Sequence, residues 1–461
     1  MTKLFGTNGV RGTVGSTMTP DVALRLGLAV GTWLKPGDRM TVGSDARASG
    51  PHLKAAFCAG VNATGVHTVD IGVLPSPGIQ LYVRDRRFAA GAIVTASHNP
   101  PEYNGIKLVA PDGTETSQAE EAVVEGHYAK QDFRRPDWKG IGTHSTDDGA
   151  VAHYLQAVLQ QVDAKAIRAA KLKVVLDPGG GAGCVTAPKL LDALGVEVVP
   201  LSTTLDGAFR DRPSEPSPQN ATRAIAAVKA SKASLGVLQD GDADRAVFID
   251  ETGGYVWGDK SLALAALHEL RRHGKPGAVV CTAVSSSSCV ADAVKMAGGK
   301  LEWTIVGSPV VAREMLRVGA VFGGEDNGGL MFARHQVCRD GLMALAFMLE
   351  LLAKTGQPFS KLVAEIPSYA LVKDKLQVPD AAKQATLAAL REAVGREAGV
   401  VSVDARDGVK VYTKEGWALV RPSGTEPIFR IQAEAKTEAE AQALVARFKA
   451  LLERTMLATA R

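Results

Sequence analysis

The segment Phe88-Ala-Ala-Gly-Ala-Ile-Val-Thr-Ala-Ser-His-Asn-Pro100 passes directly from an apolar run into a polar turn. Ala233–Arg245 and Val318–Gly329 repeat that arrangement, each an apolar run ending in a polar loop that contains glycine. A short apolar run bounded by turn residues is the pattern of a strand covered on both faces. Working outward, each segment is preceded by an apolar run opening with glycine, at Gly65–Gly72, Gly195–Ser202 and Gly298–Ser308. Further upstream, each has a β-rich run leading to a small-residue loop and a helical pattern, at Met40–Arg47, Leu172–Gly183 and Gly277–Ser288. Order and position match three times over, which predicts three related α/β domains. In open sheets of this kind, ligands sit at the carboxyl ends of strands.

From Tyr369 the pattern changes. Ala370–Val378, Gly408–Thr413, Trp417–Arg421 and Phe429–Ala435 read as short strands, and Glu438–Leu457 as a helix. Leu444, Val445, Phe448, Leu451 and Leu452 form the apolar stripe of that helix. A smaller α+β fourth domain follows, and the expected boundaries are 1–150, 151–253, 254–366 and 367–461.

Composition excludes more than it selects. The 461 residues are 46% hydrophobic and 22% charged, with a net charge of +4 and interspersed signs. No basic run is long enough to predict a nucleic-acid or membrane partner. The five cysteines are scattered without a C-x-x-C, so reduced thiols are expected. Met1–Gly12 lacks an apolar signal core, and Gly341–Leu352 is too short to cross a bilayer. A cytoplasmic protein is the expectation.

Four loops carry candidate chemistry. Thr95-Ala-Ser97-His98-Asn99-Pro100 places a serine after a strand, where it could act as a nucleophile or simply close a turn. Lys107 follows closely as a possible proton carrier. In Asp240-Gly-Asp242-Ala-Asp244-Arg245, alternate carboxylates of an extended segment point to one side and can converge on a hard cation such as Mg²⁺. An EF-hand is excluded, because Arg245 stands where that loop needs glycine. Gly323-Gly-Glu325-Asp-Asn327-Gly-Gly329 offers donors and acceptors for sugar hydroxyls, and reads equally well as a glycine-rich turn. Arg421-Pro-Ser423-Gly424-Thr425-Glu-Pro427, with Arg430 beyond, has the hydroxyls, amides and guanidinium groups of a phosphate cradle, or of a plain turn after arginine. One such loop from each domain around a cleft would suit phosphoryl transfer to or from a sugar phosphate.

Together, in this order and spacing, the four loops resemble the α-D-phosphohexomutase superfamily over essentially the whole chain. The resemblance implies three α/β domains with mixed sheets and a smaller α+β domain like the TATA-binding-protein fold, around a central cleft. It implies that Ser97 carries a phosphate and that Asp240, Asp242 and Asp244 bind Mg²⁺ together with an oxygen at Ser97. Lys107, His98, Arg11 (in Gly6-Thr-Asn-Gly-Val-Arg11) and Arg245 would stand at the reacting groups, with Lys107 as general acid/base. Glu325 and Asn327 would contact sugar, and Arg421, Ser423, Gly424 and Thr425 phosphate, beside the Arg430 already noted. The implied reaction interconverts sugar 6- and 1-phosphates through a 1,6-bisphosphate, which also serves as activator, in a monomer or homodimer. The amino-terminal motif and the glycine loop are most similar to phosphoglucosamine mutases of archaeal type. Gly329 departs from the histidine that often closes this loop, and Gly307-Ser308-Pro309 from a common Gly-Asp, which leaves phosphoglucomutase or phosphomannomutase activity as the alternative.

Two other classes are weaker. Asp177-Pro-Gly-Gly-Gly-Ala-Gly183 follows a strand but does not fit the dinucleotide fingerprint, since Cys184 holds its last position. A binding protein without catalysis could have lost the serine, the lysine or the aspartates, and all are present.

Overall fold

Lys173–Asp177 is the centre of a repeated unit, in a computed structural model that describes residues 4–6, 9–273, 275–424 and 426–459. Glu197–Pro200 lies parallel on one side of it and Leu235–Gln239 parallel on the other. Ala246–Asp250 then returns antiparallel beside Leu235–Gln239. The first sheet repeats this plan with Arg39–Ser44 at its centre, His67–Val73 and Ala90–Val94 parallel to it, and Tyr103–Val109 antiparallel. Val10–Thr13 and His144–Thr146 extend that sheet to six strands. The third has Val279–Ala283 at its centre, Lys300–Thr304 and Phe322–Glu325 parallel, and Gly329–Phe332 antiparallel. The sheets are therefore mixed. Ala90–Val94, Leu235–Gln239 and Phe322–Glu325 are buried at every residue, as strands covered on both faces must be.

This topology positions the site. The serine, aspartate and glycine loops are the same element three times: the turn joining the last parallel strand of a unit to its antiparallel partner.

The apolar stretch at Gly341 is a helix, Gly341–Thr355, buried without a break from Gly341 to Leu352 in a core shared by all three units. Its cap, Asp340, accepts hydrogen bonds from Met343 N (2.8 Å), the Tyr154 hydroxyl (2.6 Å) and Gln336 Nε2 (2.9 Å). The carboxylate thus satisfies buried donors from two other segments as well as the helix end.

The fourth domain is a five-stranded antiparallel sheet in the order Ala370–Gln377, Ile428–Ala435, Gly416–Pro422, Val409–Tyr412, Ser402–Asp404. Helices Lys383–Val394 and Glu438–Thr459 cover one face, with Leu390, Phe429, Ile431, Phe448 and Leu452 in the core. Residues 421 and 430 alternate with that core, so they project from the opposite face. Two elements lie outside the expectations from sequence. The strand Ser402–Asp404 is a short, largely exposed edge, while Lys383–Val394 hides its stripe of Leu387, Leu390 and Val394 among polar residues. All five cysteines are free, and no helix of the described residues is long and apolar enough to cross a membrane.

Candidate active site

Ser97 is buried, 1% exposed, at the turn after Ala90–Val94. Its φ of +52° lies in the left-handed region, which is unfavourable for a residue with a side chain. The turn is held there by Arg47, which is 1% exposed and donates to four carbonyls: Ser97 (2.8 Å), Asn99 (2.6 Å), Pro100 (2.6 Å) and Tyr103 (2.8 Å). Asp45 orients Arg47 through Nε at 3.0 Å and accepts from the Thr95 hydroxyl at 2.6 Å. Thr95 in turn accepts from Ser97 N at 2.8 Å. Such over-determined backbone strain is typical of sites where a side chain must be aimed.

The Ser97 hydroxyl is aimed at the aspartate loop, 2.9 Å from Asp240 Oδ2. Gly241 permits this contact, because a Cβ there would lie 2.6 Å from the Ser97 carbonyl oxygen. Oxygens of Asp240, Asp242 and Asp244 lie within 4.8 Å of one another, and all three residues are buried. The segment is not extended as the sequence reading had it. Ala243 N donates to Asp240 O and Ala243 has φ +54°, so a tight turn, and not strand alternation, converges the carboxylates.

Three buried carboxylates so close repel one another. Burial, then Asp244 and Asp242, push the Asp240 carboxyl well above its ordinary value. Burial also pushes Asp242 up, but Lys107 and hydrogen bonds from Ser76 and Lys107 outweigh it and hold Asp242 below the carboxylate range. Oδ1 of Asp242 and Oδ1 of Asp244 have no hydrogen-bond partner among the described residues. Buried carboxylate oxygens that lack a hydrogen bond and converge at this spacing are the donor set of a hard divalent cation, and fit Mg²⁺.

Lys107 Nζ, from the strand Tyr103–Val109, stands 3.0 Å from Asp242 and 3.9 Å from Asp244. Arg11 Nη1 donates to Asn99 Oδ1 (3.1 Å) and so braces the serine turn from the strand Val10–Thr13. Gly105 permits this, since a Cβ there would meet Arg11 Cγ at 2.8 Å. His98 Nδ1 is 3.3 Å from the Ser97 hydroxyl and 3.8 Å from Glu215, and partial burial, then Arg245 and Arg11, lower the imidazole pKa. Arg245 Nε lies 3.8 Å from Asp240 and its Nη1 3.3 Å from Glu215.

A cleft of about 860 Å³ opens over this floor. His98, Arg245, Glu325 and Asn327 line one side, and Arg421, Arg430, Lys373 and Lys375 of the fourth domain line the other. Lys375 pairs with Arg430 across one strand boundary and Arg430 with Arg421 across the next, so three cations stand in a row on the cleft face. Not every expected residue reaches the cleft. Ser423 is buried inside the hairpin turn, where its hydroxyl accepts from Glu426 N at 3.2 Å and its carbonyl from Lys383 Nζ at 2.7 Å. Gly424 is exposed at the tip and outside the cleft lining, and Thr425 lies outside the described residues.

Sequence reading missed Arg47, Ser76, Glu215, Arg339, Lys373 and Lys375. Two signals were present. Asp45-Ala-Arg47 ends an apolar run, and Arg339-Asp340 precedes the apolar run Gly341–Leu349, positions where charge must be buried and therefore paired.

A buried hydroxyl facing a cation-ready carboxylate cluster, across a cleft from a cationic wall, is a geometry that can hold and hand over a phosphoryl group. Comparison with known proteins agrees with that class. Four regions match phosphoglucomutase/phosphomannomutase: alpha/beta/alpha domain I at residues 2–135, domain II at 152–254, domain III at 257–369 and the C-terminal domain at 375–451. A phosphoglucomutase/phosphomannomutase of Thermococcus kodakarensis is 42% identical over 96% of each chain. A phosphoglucosamine/phosphogalactosamine mutase of Sulfurisphaera tokodaii is 37% identical over 98% of this chain and 100% of its own. The crystal structure of a phosphoglucomutase/phosphomannomutase family protein from Burkholderia thailandensis superposes with a TM-score of 0.87 at 30% identity, covering 99% of this chain and 98% of that one. The chain belongs to the phosphoglucomutase/phosphomannomutase family.

Proposed function

We propose that this protein is a phosphohexomutase that interconverts glucosamine 6-phosphate and glucosamine 1-phosphate through phosphorylated Ser97. The observation that carries the reading is the Ser97 hydroxyl, strained, buried and 2.9 Å from a carboxylate of the cation-ready triad. In the first half-reaction a sugar hydroxyl attacks the phosphorus on Ser97; the new P–O bond forms as the P–Oγ bond breaks, giving the 1,6-bisphosphate. Oγ takes up a proton and the attacking hydroxyl gives one up, with Lys107 as general acid/base and His98 within hydrogen-bond reach of Oγ. The second half-reaction returns the other phosphate to Ser97 after the sugar reorients. Mg²⁺, held by Asp240, Asp242, Asp244 and an oxygen at Ser97, would neutralise charge on the transferring group. Arg421 and Arg430 hold the distal phosphate, Glu325 and Asn327 the hydroxyls, and Arg11 and Arg245 the reacting end. The segments 1–150, 151–253, 254–366 and 367–461 each supply one of these parts.

Glucose or mannose phosphates are the second reading, favoured by the name of the Thermococcus relative. Intact-mass measurement tests the mechanism: a phosphate adduct is expected, absent in Ser97→Ala and lost on incubation with sugar phosphate. Full turnover by Ser97→Ala would overturn it. Rates on glucosamine, glucose and mannose 6-phosphates, with bisphosphate activator present, decide the sugar.

A further inference from the structure

Arg339 is 6% exposed and touches both the aspartate loop and the sugar loop. Its Nη2 donates to Asp244 Oδ2 at 2.5 Å and its Nη1 to Glu325 Oε2 at 3.2 Å. The other oxygen of each carboxylate faces elsewhere: Glu325 Oε1 accepts from Gly307 N at 3.1 Å, and Asp244 Oδ1 has no hydrogen-bond partner among the described residues. The fork is therefore shared between a carboxylate of the proposed cation site and one of the proposed sugar site.

The backbone that carries Arg339 cannot shift independently of these loops. Asp340 N donates to Leu330 O at 2.9 Å, and the Asp340 side chain is fixed by three donors already described. Gly341 is pressed against the aspartate loop, where a Cβ would lie 2.8 Å from the carbonyl oxygens of Ala243 and Arg245. The Arg339 stem crosses Gly329, where a Cβ would lie 2.2 Å from Cδ and 2.8 Å from Cγ. Gly329 is not among the positive-φ glycines, so it is required for room and not for backbone freedom.

Resting on the mutase reading, we infer that Arg339 is a positioning residue that couples sugar binding to cation binding, and that Gly329 is the opening through which it reaches. One guanidinium serves two carboxylates, so charge drawn from one is felt at the other. A cation on Asp244 weakens that carboxylate's hold on Arg339 and leaves the fork to Glu325. A hydroxyl donated to Glu325 acts in the opposite direction. Occupancy of either site then changes affinity at the other by a common factor. Lysine cannot substitute, because a single ammonium lacks the fork that reaches both partners.

The test is Mg²⁺ titration calorimetry in the Ser97→Ala background, which cannot turn over, with either glucosamine 6-phosphate or inorganic phosphate present. Inorganic phosphate reports direct phosphate–cation contact, and the excess effect of the sugar phosphate reports coupling through Glu325. That excess is expected to be at least about fivefold in Mg²⁺ Kd, the lower range for coupled sites. Arg339→Met, Arg339→Lys and Gly329→Ala are each expected to bring it to within twofold of unity. No excess in the Ser97→Ala protein, or an excess retained in Arg339→Met or Gly329→Ala, overturns the inference. Absence of Mg²⁺ binding in both the Ser97→Ala protein and the protein with Ser97 intact overturns the mutase reading instead, so the two failures are distinguishable.

Discussion

The floor of the cleft and its cationic wall use the same kinds of residue in opposite ways. On the floor, Arg47 is sealed from water and donates to four carbonyls of the serine turn, with Asp45 fixing it from behind. On the wall, Arg430 is half exposed and sits 2.9 Å from Glu426, while Arg421 has Asp407 at 3.4 Å. Buried guanidinium groups lock backbone because their hydrogen bonds face no competition from water. Exposed ones attract at range and release readily, because solvent and salt screen them. In the proposed reaction, that contrast separates bond-making, which needs fixed geometry, from holding a phosphate that must later leave and reorient.

The largest effect is expected from removing the floor's own charge. Asp242→Asn is expected to lower turnover at least ~10³-fold while thermal unfolding changes little, since it removes a cation ligand in a site where electrostatics dominates catalysis. Steady-state rates across a Mg²⁺ series, with melting curves alongside, check both halves. Arg47→Met attacks the clamp rather than the reacting groups. It is expected to destabilise the protein by about 3–5 kcal/mol, because it leaves the buried Asp45 carboxylate without its countercharge and takes a donor away from four carbonyls. Chemical denaturation measures that, and kcat is expected to fall with KM little changed.

The wall predicts a different signature. Arg421→Ala is expected to raise KM about tenfold with kcat nearly unchanged, the pattern of lost uniform binding. KM of the unaltered protein is also expected to rise with added salt, whereas stability of the serine turn is not; a kcat loss in Arg421→Ala would dissolve the contrast between the two regions.

The smallest expected effect concerns how the wall is attached. Lys410 is buried where the fourth domain meets the third, donates to Val284 O at 2.7 Å, and lies 3.8 Å from the Trp417 ring centre, with Trp303 and Tyr412 around it. Burial brings its pKa down to about 8, against the opposing pull of Glu434, Asp404 and Asp259 and with a minor push from Arg406. The folded chain therefore releases this proton before the unfolded chain does, so stability rises as pH climbs from about 8 toward the ordinary lysine value. The gain is expected to be only about 1 kcal/mol, because the three ring faces favour the charged form and oppose it. Urea titrations at pH 7.5 and 9.5 measure it, and Lys410→Met is expected to abolish the difference.

Sequence patterning exposed the repeated units because each buries whole strands, and burial on both faces leaves an uninterrupted apolar signature at Ala90–Val94 and Leu235–Gln239. The loops at Ser97 and Asp240 were legible because chemistry demanded unusual residues at predictable strand ends. Arg47 and Arg339 were not, since an arginine paired inside a core looks like any other until the fold supplies its partners. Lys375 was hidden for another reason: it belongs to the cationic row only through the register of three strands, which no local pattern encodes. The turn at Ala243 defeated the extended reading because alanine gives no hint of a left-handed backbone.

The left-handed backbone at Ser97 has a consequence for how this chain can change. Glycine is the residue that this position prefers on conformational grounds, so Ser97→Gly is expected to fold about 1 kcal/mol more stably than Ser97→Ala. The most stable occupant of the position is one that cannot carry the phosphate. Selection for activity and selection for stability pull in opposite directions at this single residue, and a screen for heat-resistant variants that ignored turnover would be drawn to it.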